Sequence, residues 1–483
     1  MSHQPREHST MLFSPSPVRK RLQLQISERR LMLMAGDVLG VLIAVTIALF
    51  VWSVVARDRF NFEFIWPRSH WFFILTGVWL LLASANDFYE LRVAANRGAT
   101  AQRLVFINLQ MVVLYLIVFF LAQPLALPRL FILYYAVASF LLIAVIRILN
   151  PALSGWISAR RKVLIVGTDW AAITIIGAIG RYAHDLYDIC GVIAETDDVV
   201  KDICDVPVVG TGKDISRLVY TEQVSELIVT STHELSGEIF QGVMDAYEHG
   251  AAIVPMPLLY ERITGQVPVE HVSNNWAVVL PMDGGSIFNP QLAIKRILDI
   301  VISLIGMVVF IILLPFLALI IRLDSPGDIF YSQERTGLNG RTFRIYKFRS
   351  MRANAEAKTG AVFSQKGDPR VTRVGRFMRK TRLDELPQIV NILRGDMSIV
   401  GPRPERPEHI KRLTEKIPFY RTRLVIRPGL TGWAQVRYNY GSTDEDALIK
   451  LQYDLYYIRH QSILLDLNII LRTVYKVIQM GGV

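Results

Sequence analysis

Long apolar runs separated by short polar loops fill the first third of the chain. Four of them, Leu31 to Ala56, Trp71 to Ala85, Leu104 to Ala122 and Leu130 to Leu149, read as helices, and most approach the about 20 residues that cross a bilayer. The second is short, which tilt, extension by Asn86 or packing inside a bundle accommodates. Basic residues mark the sides. Arg19, Lys20, Arg21, Arg29 and Arg30 precede the first run, Arg92, Arg97 and Arg103 follow the second, and Arg160, Arg161 and Lys162 follow the fourth. The other two loops hold Arg57, Arg59, Arg68 and Arg129. This bias places both ends of a four-helix transmembrane bundle, residues 29–150, in the cytosol. The polar residues 1–28 read as a disordered cytosolic tail, and the apolar run behind them is too long for a cleavable signal core. Asp37, inside the first run, is expected near the interface or paired within the bundle, and the bundle itself reads as an anchor.

A fifth apolar run, 297–321, is long enough to span. Pro315 lies within it, where a proline removes a backbone hydrogen bond and bends a helix. Lys295 and Arg296 precede the run, Arg322 follows it, and a strongly basic region comes next. Basic flanks at both ends predict a helix that enters the membrane and returns.

Between these parts, residues 160–272 alternate short apolar strands with helical stretches: Val163 to Val166, Ile189 to Ala194, Ser225 to Thr230 and Ala252 to Pro255. That order predicts a small Rossmann-like α/β domain with a parallel sheet. Its first turn, Gly167 to Ala172, has lost two of the three glycines of a dinucleotide site. Asp169 would set a negative charge where a pyrophosphate lies, so no intact dinucleotide site is expected. Gly210-Thr211-Gly212-Lys213 fails the phosphate-loop spacing.

Composition narrows the function. The 483 residues carry a net charge of +11 and are 52% hydrophobic, with the basic excess concentrated after Arg322. Such a surface needs an anionic partner, and the apolar runs favour lipid headgroups and phosphorylated substrates over nucleic acid. Cys190 and Cys204 suggest neither a disulfide framework nor a His/Cys metal site.

The chemistry is carried by ordered blocks. They are Asp324-Ser325-Pro326-Gly327, Lys347-Phe348-Arg349, Arg376 through Arg382 into Leu383-Asp384-Glu385-Leu386-Pro387-Gln388, Gly395-Asp396, Gly401-Pro402-Arg403-Pro404, and Arg427 through Val436. Leu386, Ile389, Val390 and Leu393 recur at helical spacing, which puts Asp384 near a helix start with Pro387 tolerable in the first turn. On the residues alone, Asp384 is either an N-cap or, among so many arginines, part of a phosphate site.

These blocks resemble the monotopic phosphoglycosyl transferases, bacterial sugar transferases that start exopolysaccharide and O-antigen repeats, over about Leu292 to the C-terminus. The preceding helices and α/β domain resemble the large exopolysaccharide-type members. The resemblance implies that Asp384 attacks the β-phosphorus of a UDP-sugar, expels UMP and forms a covalent sugar-phosphoryl aspartate, which undecaprenyl phosphate then displaces. It implies that Glu385 helps to hold Mg²⁺, a division of labour suited to two adjacent carboxylates that point apart. Lys347, Arg349, Arg376, Arg382, Arg403 and Arg427 become candidate phosphate clamps, and Asp396 and Asp454 candidates to assist the metal or orient an arginine. Some small family members have a serine before the helix-breaking proline, whereas here Leu314 precedes Pro315, so the kink rests on Pro315 or other polar groups.

The expected architecture is therefore a multidomain membrane protein: the bundle, the α/β cytosolic domain, and a mainly α catalytic domain, 292–483, entered through the re-entrant helix. The expected location is the bacterial inner membrane with the catalytic domain facing the cytosol. The expected partners are a UDP-sugar, UDP-glucose or UDP-galactose by architecture, then undecaprenyl phosphate and membrane lipids, with a homodimer allowed. Residues 462–480 alternate apolar and polar positions and suit a membrane-surface helix or core packing equally. Of the competing functions, a nucleotide-sugar dehydratase or epimerase needs a glycine turn and a Tyr-x-x-x-Lys pair, neither of which occurs. A decayed assembly scaffold is opposed by Asp384, Glu385 and the arginine blocks. A conventional glycosyltransferase would release UDP rather than UMP.

Overall fold

The computed structural model describes residues 26–90, 93–94, 96–121, 130–149, 160–195, 201–230, 235–269, 290–352, 368–438, 441 and 443–478. The expected tail 1–28 lies outside these residues as far as residue 25, and the first helix already begins at Ile26. Four helices, α1 (Ile26–Val55), α2 (His70–Ala85), α3 (Arg97–Leu121) and α4 (Phe131–Ala144), pack around one apolar cluster. Val41, Val45, Trp79, Ile107, Phe131 and Tyr135 lie at its centre. Among the described residues, α1 and α3 are long and apolar enough to cross a membrane; α2 and α4 are shorter. A 16-residue helix such as α2 spans only about 24 Å. Asp37 pairs inside the cluster. It accepts from Arg147 Nε at 2.8 Å and Nη2 at 2.7 Å, and Arg147 Nη1 donates to the Phe88 carbonyl. Two fully buried charges in an apolar bundle persist only as such a pair.

The α/β domain holds a six-stranded sheet in the order β3-β4-β2-β1-β5-β6, parallel except for β3. Its strands are β1 (Arg161–Val166), β2 (Tyr187–Ala194), β3 (Asp202–Ile203), β4 (Val206–Thr211), β5 (Glu226–Val229) and β6 (Ala252–Pro255). Alternation along β1 divides the core. Val163 and Ile165 face α5 (Trp170–Tyr182) and α8 (Met256–Thr264), while Leu164 and Val166 face α6 (Ile215–Glu222) and α7 (Gly237–Glu248). The four expected strands are present. β3 and β4 were not among them, and the end of β4, Gly210 to Lys213, is closed by a reciprocal cap between Thr211 and Asp214. Asp169 caps α5, accepting from the Ala172 N–H at 3.2 Å. Its carboxylate takes the helix N-terminus that a phosphate would use.

Beyond residues 270–289, which hold the expected boundary between the two domains and lie outside the described residues, α9 (Pro290–Asp324) runs as one helix with Pro315 inside it. At 1.5 Å per residue it is about 52 Å long, and it rests on the C-terminal domain at both ends. Near its start Lys295 pairs with Asp466 at 2.7 Å, Arg296 donates to the carbonyls of Ile392 and Leu393, and Asp299 accepts from Ser398 Oγ and the Ile399 N–H. Near its end Asp324 accepts from the Val374 N–H at 3.1 Å, and Phe310, Leu317 and Ile321 pack with Phe348 and Met378. At mid-helix a side chain on Gly306 would come within 2.8 Å of Ile389 Cδ1, so glycine allows the close approach. The opposite face, including Leu304, Ile305, Val308, Ile312 and Phe316, is exposed.

The rest of this domain is mainly helical. It has an antiparallel pair, β7 (Phe330–Thr336) and β8 (Thr342–Phe348), and a short parallel pair, β9 (Ser398–Val400) and β10 (Gly429–Thr431). Around them lie α10 (Arg373–Thr381), α11 (Ile389–Arg394), α12 (Pro407–Lys416), α13 (Trp433–Arg437), α14 (Asp444–Arg459) and α15 (Ile463–Ile478). The amphipathic α15 resolves toward packing. Ile469 is fully buried in the core of the C-terminal domain, Leu471 packs on the first helix cluster, and Asn468 donates to the Ser84 carbonyl while Arg472 pairs with Asp87.

Candidate active site

Three segments meet at Glu385. After α10 the chain turns at Arg382, whose φ of 55° is left-handed, and enters a 3₁₀ helix, Leu383–Gln388, that leads into α11. Asp384 and Glu385 occupy its first turn, and Arg382, not Asp384, stands at the N-cap, so the capping alternative for Asp384 falls away. Both carboxylates are buried, each 7% exposed. From β8, Lys347 donates to Glu385 Oε1 at 2.9 Å; from the turn after β9, Arg403 Nη2 donates to the same oxygen at 3.0 Å; Arg382 Nη1 reaches Oε2 at 3.3 Å. The Arg403 turn is held tightly. A side chain on Gly401 would lie 2.4 Å from the Arg427 carbonyl, which is why the turn starts with glycine before Pro402.

Their surroundings shift the two acids in opposite directions. Burial, with the charge of Glu385 adding to it, pushes Asp384 up to about 6 against the pull of Lys347, Arg379 and Arg403. Burial acts on Glu385 as well, but Lys347, Arg403 and Arg382 together outweigh it and hold its carboxyl well below the usual range. One site thus contains a carboxylate ionised well into acid beside one that ionises near pH 6.

Of the expected residues, the structure brings together Asp384, Glu385, Lys347, Arg382 and Arg403. The others go elsewhere. Arg349 is buried and donates to the carbonyls of Ser325 and Pro326, closing the turn after α9. Arg376 is exposed on α10. Arg427 is exposed and donates to the Gly395 carbonyl at 3.1 Å. Asp396 accepts from Asn391 at 3.3 Å. Asp454 is buried, pairs with Arg423 at 2.8 Å and thereby orients an arginine, whose other contacts are the Tyr420 hydroxyl and the Arg403 carbonyl.

Several residues within the sequence blocks had been given no role. Arg379, whose charge acts on Asp384, donates to Ser350 Oγ at 3.0 Å. Asn391, fully buried, donates to the Arg344 carbonyl and accepts from the Tyr346 N–H, tying α11 to β8 beside Lys347. Gln388 sits one 3₁₀ turn after Glu385, on the same face, and its buried Nε2 has no partner among the described residues. Polar residues at core positions of a helical pattern were the available signal for Gln388 and Asn391.

Among the described residues no group of three or more His, Cys, Asp or Glu side chains gathers. Among the described residues a hard cation here would find the carboxylate oxygens of Asp384 and of Glu385, the latter now meeting Lys347, Arg382 and Arg403. That donor set fits a magnesium ion completed by phosphate oxygens and water, and does not fit a cage built wholly from protein.

Comparison with known proteins bears directly on this cluster. Residues 290–480 match the sequence model of bacterial sugar transferases, and residues 84–257 match that of a CoA-binding domain. Over 223 residues the chain is 43% identical to a UDP-N-acetylgalactosamine-undecaprenyl-phosphate N-acetylgalactosaminephosphotransferase of Aeromonas hydrophila, covering 46% of this chain and 51% of that protein. It is 39% identical over 204 residues to a UDP-glucose:undecaprenyl-phosphate glucose-1-phosphate transferase of Escherichia coli (strain K12), covering 42% and 44%. The chain thus spans about half the length of these relatives. It is 42% identical over 196 residues to the exopolysaccharide production protein PSS of Rhizobium leguminosarum bv. phaseoli, covering 40% of this chain and 98% of that protein.

The chain belongs to the bacterial sugar transferase family. The family-matched stretch contains Lys347, Arg382, Asp384, Glu385 and Arg403, together with all of α9 from Pro290. The second match begins inside α2 and runs through α3, α4 and most of the α/β domain.

Proposed function

We propose that this protein transfers a sugar 1-phosphate from a UDP-sugar to undecaprenyl phosphate and releases UMP, as the first membrane step of exopolysaccharide, capsule or O-antigen synthesis. The observation that carries this reading is Asp384, buried beside a Glu385 that three cations neutralise. An aspartate whose pKa is about 6 is ionised at neutral pH yet poorly solvated, which suits a nucleophile. In the proposed sequence a carboxylate oxygen of Asp384 bonds to the β-phosphorus, the bond from that phosphorus to the bridging oxygen breaks, and UMP leaves with the electron pair. An oxygen of the lipid phosphate then bonds to the same phosphorus and returns the carboxylate. Lys347, Arg382 and Arg403 reach Glu385 from three directions, and the same donors suit the diphosphate oxygens when they arrive. A magnesium ion, held by Glu385 with Asp384 adjacent, would supply charge neutralisation for the leaving phosphate.

Two observations support a re-entrant α9: its two ends and its middle all contact one domain, and its other face is an exposed apolar surface. A helix anchored to one domain throughout its length keeps that domain on one side of the bilayer, here the cytosolic side of the inner membrane. It also leaves the apolar face for lipid and the polyprenyl chain. Cysteines at positions 295 and 322 are expected to label from the same face.

The deciding assay supplies detergent-solubilised protein with Mg²⁺ and undecaprenyl phosphate, offers UDP-glucose, UDP-galactose and UDP-N-acetylgalactosamine in parallel, and identifies the released nucleotide. UMP with a lipid-linked sugar diphosphate is expected, and Asp384→Asn is expected to abolish both. Release of UDP, or undiminished turnover in Asp384→Asn, would overturn the reading.

A further inference from the structure

The five-residue helix α13 touches all three parts of the protein. Trp433 Nε1 donates to the Gly265 carbonyl at 3.1 Å, at the end of α8 in the α/β domain. Arg437 lies over the Trp433 ring at 4.5 Å and pairs with Asp87 and Glu90, just beyond α2, at 3.8 and 3.6 Å. Between these anchors Gln435 faces the candidate active site. Its Oε1 accepts from Arg403 Nη1 at 3.2 Å, and its backbone carbonyl accepts from Lys476 Nζ at 3.2 Å. The same Arg403 guanidinium donates through Nη2 to Glu385.

The amide orientation is set by charge. Turning it over would press its NH₂ against a guanidinium, so the oxygen faces Arg403 and Nε2 is left buried with no partner among the described residues. An unsatisfied buried donor costs stability. The side chain is therefore placed for Arg403 rather than for its own hydrogen bonding.

We propose that Gln435 is a positioning residue for Arg403. It holds one edge of the guanidinium while the other edge exchanges Glu385 for a phosphate oxygen of the nucleotide-sugar. Resting α13 on both the α/β domain and the membrane helices gives that pivot a fixed place, and a clamp held ready loses little freedom when substrate binds. This inference rests on the phosphoryl-transfer reading above.

The test uses the full chain in detergent and compares Gln435→Met, which keeps length without an acceptor, with Gln435→Glu, which keeps an acceptor, each alone and with Arg403→Ala. Loss of one hydrogen bond to a charged group predicts a fall of about tenfold in kcat/KM for Gln435→Met, carried mainly by KM for the nucleotide-sugar. Gln435→Glu should stay within about twofold of the parent, because its acceptor remains. In the Arg403→Ala background Gln435→Met should change nothing further, since the two side chains act as a unit. Should Gln435→Met fail to fold, Gln435→Asn, one methylene too short, takes its place with the same expectation. Parental kcat/KM in the acceptor-less variant, or full additivity with Arg403→Ala, overturns the inference while UMP release stands. No UMP from the parent protein overturns the transferase reading and this inference with it.

Discussion

Replacing Asp384 with asparagine removes a charge that the fold holds against its preference. Its pKa stands at about 6 instead of 3.8, and at about 1.36 kcal/mol per pK unit that gap corresponds to about 3 kcal/mol. Below pH 3.8 the group is neutral folded and unfolded, so it costs nothing. Between 3.8 and about 6 the folded state binds more protons than the unfolded state, and stability falls as pH rises. Above 6 the whole penalty is present. Asp384→Asn should therefore be inactive yet more stable at pH 7.5, by about 2–3 kcal/mol once the burial of an amide is allowed for. At about 2–4 °C per kcal/mol for a domain of this size, the apparent Tm should rise by about 5–10 °C. The assay is thermal unfolding of both proteins in one detergent at one scan rate, repeated from pH 4 to 8. The difference should shrink toward zero at pH 4. Equal melting temperatures at pH 7.5, or a difference that does not depend on pH, would refute the argument that burial raises Asp384.

The same titration should appear in turnover: UMP release should climb through about pH 6 as Asp384 ionises, and a flat rate from pH 5 to 7.5 would exclude an aspartate nucleophile of that pKa. Glu385→Gln leaves Lys347, Arg382 and Arg403 without their shared carboxylate and should cost about 3–5 kcal/mol, part of it recovered by added pyrophosphate; denaturant titration with and without that anion reads both effects. Asp454→Ala strands the buried Arg423 and should cost about 3–5 kcal/mol, whereas replacing both by apolar residues of similar volume should restore much of the loss, measured by the same titration.

Much of the architecture was legible because periodicity reports local burial. The apolar runs in α1, α3 and α9, and the strands β1, β2, β5 and β6, declare themselves within windows of a few residues. The short α2 and α4 were equally visible as apolar runs: Trp71 to Ala85 matches α2, and Leu130 to Leu149 covers α4 and the π-helical Val145–Leu149 that continues it. β4 was not among the expected strands; it lies between β3 and β2, and its Pro207 stands opposite Asp202 of β3, ahead of the residues that pair with β2. The site divided in the same way. Asp384, Glu385, Arg382, Lys347 and Arg403 sit in compact blocks whose types match phosphate chemistry.

By itself the sequence determined which residues carry charge, which segments are apolar, and that two acids adjoin at a helix start. Only the tertiary structure decided which cation meets which anion. Lys347 lies in β8 and Arg349 just past its end, two residues apart, yet Arg349 closes a turn after α9 and Lys347 reaches Glu385. Residues two apart on a continuing strand share a face, but the chain leaves the strand after Phe348, and what each side chain then meets depends on the packing of distant segments. For the same reason Arg423, Gln435 and the docking of α15 had no local signature. Their partners lie far away in the chain and are brought near only when the helices, the sheet and the turn that carries Asp384 and Glu385 close on one another.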